Sequence, residues 1–200
     1  MAIGDAYCTD EEFKSWVGVD DALDANESPV IRKAASRKVE EYCGRQFNDA
    51  GSATARVYHP NSSTCLRLDE FHTTTGLIVA TDTGDDGTYE TTISASNYTV
   101  YPLNGIKDGQ TGWPYDRIEL RNAATFPAVT GPAVQVTARW GWAAVPDDVK
   151  TATLIQAAFL LGRRRSRNGL DSGVWVSRLP LDPTAASLLG RFRPLGKLVA

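Results

Sequence analysis

Apolar side chains at helical spacing predict one long helix between Pro146 and Arg165. Pro146 fits the first turn, where its missing N–H is not needed, and Asp147 and Asp148 place negative charge at the positive end of the helix dipole. Apolar residues lie on most faces of this helix, whereas a surface helix is polar on one side. Two alternatives stay open: the helix is central to its own domain, or a neighbouring subunit covers part of it.

Two further helices are predicted near the N-terminus. Thr9 and Glu12 have the spacing of a capping box, which predicts a short helix over residues 10–17. A second helix is predicted from Ser28, as its N-cap, to about Phe47, with its apolar residues on one face. Most of its charged residues lie off that face and are expected to be solvated.

The pattern changes between about Thr54 and Trp142 to short β-prone runs separated by Gly, Pro, Asn and Asp. Several of these runs alternate apolar and polar side chains, which predicts a small antiparallel sandwich or barrel. Asp85-Asp86-Gly87 and Asn104-Gly105 are typical of hairpin turns. The predicted strands lie in the runs ARVYH, CLRLD, GLIVAT, TYETTI, NYTVYP, RIELRN and AVQVTARW.

Helices on both sides of one β block predict an α+β protein, in which an antiparallel β domain is inserted into a helical bundle. We expect residues 1–50 to form N-terminal helices, residues 51–142 the inserted β domain, and residues 143–168 the helix that completes the bundle. Residues 169–200 are expected to be an extended, partner-binding segment, because Gly and Pro interrupt a stretch that is too apolar for a disordered tail. Truncation after Asn168 should then abolish assembly and leave the fold intact.

The composition is that of a folded, water-soluble protein. Of the 200 residues 42% are hydrophobic and 22% charged, which is enough apolar material to bury a core. We expect synthesis in a cytoplasm and no membrane contact, because neither a signal-peptide pattern nor an apolar run of about 20 residues is present. The three cysteines lack CxxC spacing, which favours buried thiols over a disulfide framework or a zinc site.

Charge is distributed unevenly along the chain. Residues 1–30 carry eight acidic side chains against Lys14, whereas residues 163–200 carry eight basic side chains against two aspartates. An acidic head and a basic tail indicate contact with a charged partner, or head-to-tail contact between copies. The arginines could also meet nucleic-acid phosphates, although no DNA-reading motif accompanies them.

The sequence contains no convincing motif for catalysis, a cofactor or a metal. His59 and His72 lack further ligands at metal-site spacing, and neither a nucleophile elbow nor a true phosphate loop is present. The acidic run from Asp82 to Glu90 departs from EF-hand spacing, so turn chemistry is favoured over a cation site. We therefore expect no catalytic, cofactor-binding or metal-binding residues and no enzymatic activity.

Three segments resemble the head-to-tail adaptor, or head-tail connector, proteins of tailed bacteriophages. They are Asp10-Glu-Glu-Phe13, Tyr42-Cys-Gly-Arg-Gln-Phe47, and Trp140-Gly-Trp142 followed by Val145-Pro-Asp-Asp-Val149 and the helix to Arg165. The resemblance implies a structural protein of the virion neck, forming a ring of commonly twelve copies below the portal that extends the DNA channel toward the tail. The implied partners are the portal protein, a stopper or other neck and tail proteins, further copies of the chain, and passing DNA in transient, non-specific contact.

The same resemblance implies that the C-terminal segment engages the portal. The expected portal or partner contacts are Trp175, Arg178, Leu179, Leu188, Arg191, Phe192 and Arg193. The long helix is expected to supply the subunit-interface residues Leu154, Ala158, Leu161, Arg163, Arg164 and Arg165.

Two other classes of function stay open at the level of sequence. The β domain could be a ligand-binding or glycan-binding module, with a stacking surface formed by Tyr101, Trp113 and Tyr115. An enzyme would need a site assembled from scattered carboxylates such as Asp69, Glu70 and Asp116, whose spacing matches no catalytic motif.

Overall fold

The protein is α+β, as predicted, with four α-helices and two antiparallel sheets in the part that the structure describes. The structure is a computed structural model, and it describes residues 4–18, 27–165 and 180–193. The chain forms two units, a helical unit of residues 1–48 and 144–200 and a β unit of residues 49–143.

The helical unit is organised around one central helix. Its helices are α1 (Asp10–Val17), α2 (Glu27–Cys43), α3 (Asp147–Arg165) and α4 (Pro183–Leu189). α3 contacts each of the other three helices, and buried side chains follow one another along most of its length. Other helices of the same chain therefore cover the apolar residues that lie on most faces of α3. This is the first of the two alternatives left open by the sequence.

α1 begins and ends at the predicted residues. The Thr9 hydroxyl accepts a hydrogen bond from the backbone N–H of Glu12 at 3.1 Å, and the Glu12 carboxylate accepts one from the backbone N–H of Thr9 at 2.8 Å. Gly18 ends the helix in the left-handed conformation, with φ of 66°. Glu12 also pairs with Lys150 Nζ at 3.1 Å, so the capping residue fastens α1 to α3.

α2 differs from the prediction at both ends. It already includes Glu27, and Ser28 is a buried helical residue whose hydroxyl donates to a carboxylate of α1. The helix ends at Cys43 and not at Phe47, because Gly44 turns the chain with φ of 62°.

The C-terminal segment is helical where an extended segment was predicted. Asp182 is the N-cap of α4, since its carboxylate accepts the backbone N–H of Thr184 at 2.8 Å, and Pro183 occupies the first turn. The backbone N–H of Asp182 donates to Gln156 Oε1 of α3 at 2.8 Å, which fixes the start of α4 against the central helix. The prediction for residues 169–200 is therefore wrong over residues 183–192, where a local capping signal overrides the surrounding glycines and prolines.

Phe192 closes the core of the helical unit. Its side chain is buried, and its ring meets the ring of Phe47 edge to face, with centroids 5.4 Å apart. Leu189, one turn earlier, is also fully buried. Truncation after Asn168 would remove both side chains from the core, so the expectation that the fold survives this truncation no longer holds.

The β unit has seven strands, each inside one of the predicted runs or overlapping it. They are β1 (Thr54–Tyr58), β2 (Cys65–Phe71), β3 (Ile78–Thr81), β4 (Thr91–Thr92), β5 (Tyr98–Tyr101), β6 (Tyr115–Leu120) and β7 (Val134–Ala138). One sheet has the order β1-β7-β3-β4 and the other the order β2-β6-β5. A single core takes side chains from both sheets, including Ile118 and Val136, and Trp140 is buried in it.

Carboxylates fix the hairpin between β3 and β4, as the turn interpretation expects. Asp82 accepts the backbone N–H of Gly87 at 2.8 Å. Asp85 accepts the backbone N–H groups of Gly131 and Thr130 at 2.9 and 3.0 Å, and these bonds hold the pKa of its carboxyl below the ordinary range. The second predicted turn lies in the longer connection between β5 and β6, where Asn104 has φ of 57°.

We expect the substitution Phe192→Ala to lower the free energy of unfolding of the helical unit by about 3–5 kcal/mol, because it leaves a cavity beside Phe47. Leu188→Ala is the matched control, since Leu188 lies on the same short segment but is only half-buried. Urea denaturation followed by the helical circular dichroism signal measures both. Equal losses in the two variants would contradict the role of Phe192 in the core.

Glu12→Gln should destabilise the protein near neutral pH and have little effect in acid. The backbone N–H of Thr9 is the main cause that lowers the pKa of Glu12, and Lys150 adds to it. A carboxyl whose pKa is lowered by folding stabilises the folded state at any pH above its unfolded pKa of about 4.3. This stabilisation is lost as the pH falls through the pKa of the carboxyl in the folded state. The difference in free energy of unfolding between wild type and Glu12→Gln should therefore shrink below about pH 4.

Urea denaturation at several pH values tests this dependence. Glu11→Gln is the control, because Glu11 is an exposed neighbour on α1. A Glu12→Gln difference that stays constant from neutral to acid pH would show that the carboxylate charge contributes nothing.

Candidate assembly surfaces

The predicted portal-binding residues fall into different environments. Phe192 is buried inside the helical unit and is not an exposed anchor. Leu188 is half-buried on α4, and Arg191 and Arg193 follow on its C-terminal side. The remaining predicted contacts lie outside the described residues: Trp175, Arg178 and Leu179.

The two arginines beside Phe192 are engaged within the chain. Arg191 Nη2 lies 2.5 Å from a carboxylate oxygen of Asp148, in the first turn of α3. The Arg193 guanidinium lies over the ring of Tyr42, 4.7 Å from its centroid. Both side chains therefore help to hold the end of the described segment against α2 and α3.

The apolar interface residues predicted on α3 belong to the core instead. Leu154 is 7% exposed and Leu161 is 5% exposed, and both pack in a cluster with residues of α1 and α2. Ala158 is half-buried. Assigning Leu154 and Leu161 to a subunit interface is therefore wrong for the folded subunit, because other helices of the same chain already cover them.

The basic end of α3 is the part of the predicted interface that stays at the surface. The Arg164 side chain is 60% exposed, and its Nε lies 3.1 Å from Glu27. Arg163 is exposed, with its guanidinium 5.3 Å from the ring centroid of Phe159. Arg165 ends the helix, and its side chain lies outside the described part. Positive charge at this end complements the helix dipole, so these residues stabilise α3 locally and still present charge to solvent.

Part of the acidic head is neutralised within the helical unit. Asp10 pairs with Lys14 at 2.9 Å and lies 3.7 Å from Arg32. The Ser28 hydroxyl and Lys14 hold the pKa of the Asp10 carboxyl below its ordinary range. Glu27 of the acidic head also pairs with Arg164 of the basic tail, so the charges at the two ends of the sequence partly attract each other inside one chain.

Among the described residues of the helical unit, two large apolar side chains are exposed. Trp16, near the end of α1, is 50% exposed, and Val30, in the first turns of α2, is 61% exposed. Single exposed apolar side chains are normal on a protein surface, but aromatic residues such as Trp16 are enriched where a partner docks.

The four-stranded sheet presents an uncharged outer face. Val57 of β1 pairs with Gln135, and Ile78 of β3 pairs with Thr137 on the other side of β7. Val57 and Ile78 are both about half exposed. The strand alternation in the sequence indicates which residues share a face, but the absence of charge becomes visible only when the strand order is known.

The stacking surface of a glycan-binding module does not form. Trp113 is buried against Trp142, with ring centroids 5.2 Å apart. The guanidinium of Arg117 covers the ring of Tyr101 at 4.4 Å, and the ring of Tyr115 packs on that of Phe71 with centroids 5.3 Å apart. The three predicted rings are therefore occupied by other side chains and share no open platform.

Two of the scattered carboxylates have structural partners. Asp69 accepts hydrogen bonds from Arg56 at 2.6 Å and from Tyr58 at 3.0 Å. Glu70 accepts the indole N–H of Trp142 at 2.7 Å. These bonds join strands and loops of the β unit, and they do not bring the predicted carboxylates together as an acid–base pair.

Among the described residues, one cluster of three acidic side chains has carboxylate oxygens close enough to share a cation. The oxygens of Asp82, Asp86 and Glu90 lie within 4.8 Å of one another. Asp82 already binds backbone N–H groups of the hairpin, which accounts for its burial.

In the described ranges, no helix combines the length and the hydropathy that a bilayer crossing requires.

Comparison with known proteins places the fold among neck proteins of phage-like particles. No protein-family model matches the chain, and no curated protein matches it significantly. A chain from the neck of an empty gene transfer agent particle, computed with C6 symmetry, has a TM-score of 0.57 at 18% identity, with 97% of this chain and 93% of that chain covered. A chain from the neck of a native particle, computed with C12 symmetry, has a TM-score of 0.54 at 22% identity, with 95% and 90% covered. The protein therefore has the fold of these neck chains over nearly its whole length.

Proposed function

We propose that this protein is a head-to-tail adaptor, a structural protein without enzymatic activity in the neck of a tailed phage or phage-like particle. The observation that carries the proposal is the fold shared with two neck chains over at least 95% of this sequence. The adaptor-like segments in the sequence support it independently. In this role the protein forms a ring of commonly twelve copies below the portal and extends the DNA channel toward the tail.

The surfaces of the helical unit support assembly into a ring. A closed ring needs a heterologous interface, in which one surface of a subunit meets a different surface of the next. The basic end of α3, with Arg163 and Arg164, differs chemically from the positions where Trp16 and Val30 expose apolar side chains, so the unit presents unlike surfaces. Since α3 is already buried within each subunit, a subunit can fold before the ring forms.

Portal binding is proposed for the C-terminal segment, with the roles of its residues revised. Leu188, Arg191 and Arg193 lie on the described part of the segment, next to the core. Phe192 anchors the segment to the helical unit. The proposed direct contacts then include the three positions beyond the described residues: Trp175, Arg178 and Leu179.

Contact with passing DNA is proposed to be weak and independent of sequence. The net charge of the chain is −3, and strong phosphate binding requires a large excess of basic side chains. A channel wall functions without tight binding, because DNA has to move through the channel.

No observation on the described residues favours a glycan-binding module over the adaptor role.

The molar mass of the purified protein is the direct test. Light scattering over a wide concentration range, with negative-stain images of the heaviest fraction, should show rings of about twelve copies. If the free protein is a monomer, the ring should form when purified portal is added. A protein that neither forms rings nor binds portal would contradict the proposed function.

Replacing Arg163, Arg164 and Arg165 by Ala should impair assembly more than folding. Exposed charges near a helix end each contribute less than about 1 kcal/mol to stability, whereas they form much of the basic surface. Light scattering measures assembly and thermal denaturation measures folding. Lys33→Ala, at an exposed position on α2, is the control and should affect neither. A large loss of thermal stability with normal assembly would contradict the assignment.

A further inference from the structure

Two arginines lie side by side on the outer face of the three-stranded sheet. The strand register places Arg67 of β2 opposite Arg117 of β6, and Arg117 opposite Tyr101 of β5. Directly opposed residues on antiparallel strands have Cβ atoms about 4.5–5.5 Å apart, and like charges at this spacing repel. The pairing of Arg67 with Arg117 is therefore unfavourable in an isolated subunit. We call Arg67, Arg117 and Tyr101 the arginine row.

The positive charge of the arginine row is only partly balanced. Arg117 Nη1 lies 3.3 Å from Glu119 Oε1 on the same strand. Arg67 is exposed, and its side chain has no ion pair with any residue that the structure describes. Stacking on Tyr101 holds the Arg117 guanidinium in place at 4.4 Å. A guanidinium held in this way is prepared to bind a carboxylate through two hydrogen bonds.

The same unit carries an opposite charge on its other sheet. We call the connection between β3 and β4, Asp82–Glu90, the acidic hairpin. Asp86 and Glu90 are exposed, and neither forms an ion pair with a described residue. The sequence contains no Lys or Arg between residues 79 and 106, so no basic side chain of the neighbouring sequence neutralises the hairpin.

The burial of Asp82 prepares the acidic hairpin for contact. Asp82 is 3% exposed and accepts the backbone N–H of Gly87, so it shapes the turn. Three exposed carboxylates lie on this fixed loop: Asp85 accepts the backbone N–H groups of Thr130 and Gly131, and Asp86 and Glu90 are left for a contact. Because β3 and β4 belong to the four-stranded sheet, the hairpin extends from a different sheet than the one that carries the arginine row.

We propose that the arginine row of one copy binds the acidic hairpin of the next copy. The inference rests on the proposed ring and names a contact within it. The two surfaces are unlike, they have opposite charge, and both belong to the β unit, so one contact repeated from copy to copy satisfies the requirement for a heterologous interface. The partner is a second copy of the same chain, because every copy carries both the positive and the negative surface and these attract each other.

Carbodiimide cross-linking of a conservative variant tests the contact in the full chain. Arg67→Lys with Arg117→Lys keeps the positive charge and provides amines, which form amide bonds with activated carboxylates in direct contact. The variant is prepared with and without ¹⁵N, the two preparations are mixed, assembled and treated, and the linked peptides are identified by mass spectrometry. We expect mixed-isotope peptides that join position 67 or 117 to the segment of residues 82–90.

Two controls define the background. The unsubstituted chain has no amine in the arginine row and should give none of these peptides. Adding Asp86→Asn and Glu90→Gln to the lysine variant removes the two carboxylates proposed for the contact. Asp82 and Asp85 remain, because they bind backbone N–H groups and shape the loop, so the link should fall to the same background. An unchanged circular dichroism spectrum shows that each variant is folded.

The outcomes separate this inference from the proposed function. Rings without the link, or with links from position 67 or 117 to another segment, would overturn the inference alone. The link without closed rings would support the contact and count against the ring. A sample that has neither rings nor the link even after purified portal is added would count against both. Rings without the link would also result if the arginine row binds DNA instead of a second copy, and this outcome overturns the inference.

Discussion

The helical unit depends on covering α3 from all sides. A helix with apolar residues around its axis is stable in water only when neighbours remove most of that surface from solvent. Glu12 fastens α1 to it through Lys150, and Gln156 receives the start of α4 through the backbone of Asp182. Phe192 then completes the core beyond α4, where it meets Phe47. From the sequence alone, these side chains could equally well contact a partner. Because they are used inside the subunit, less of the surface remains for contacts between subunits.

Local signals in the sequence predict local structure well. The capping box of α1 and the alternation in the β runs depend on residues close together in the chain, and the structure confirms both. The cap of α4 is equally local, but the prolines and glycines around Asp182 obscure it. The burial of Phe192 could not be predicted, because its partner Phe47 lies far away in the sequence. Periodicity likewise shows that Leu154 is apolar on a helix, but not which chain covers it.

The surfaces were harder to predict than the elements, because they arise from pairing between distant strands. Alternation places Arg67 and Arg117 on outer faces of their strands, but only the register brings them opposite each other. The acidic run from Asp82 to Glu90 is visible in the sequence as a turn, and the sheet order shows which sheet it extends from. The rings of Tyr101 and Trp113 look available in the sequence and are covered in the fold.

Pairing inside the chain also determines which charges can direct assembly. Arg164 and Arg191 pair with carboxylates of their own subunit, so a partner that uses them has to compete with those contacts. A charge already satisfied within the subunit adds less to binding than one that is left unbalanced. Arg67 is unbalanced among the described residues and sits on a rigid sheet, where binding orders little additional chain. In the proposed ring, the β unit therefore adds a contact between unbalanced charges to the contacts made by the basic end of α3, while the core of the helical unit keeps each copy folded before it meets the next.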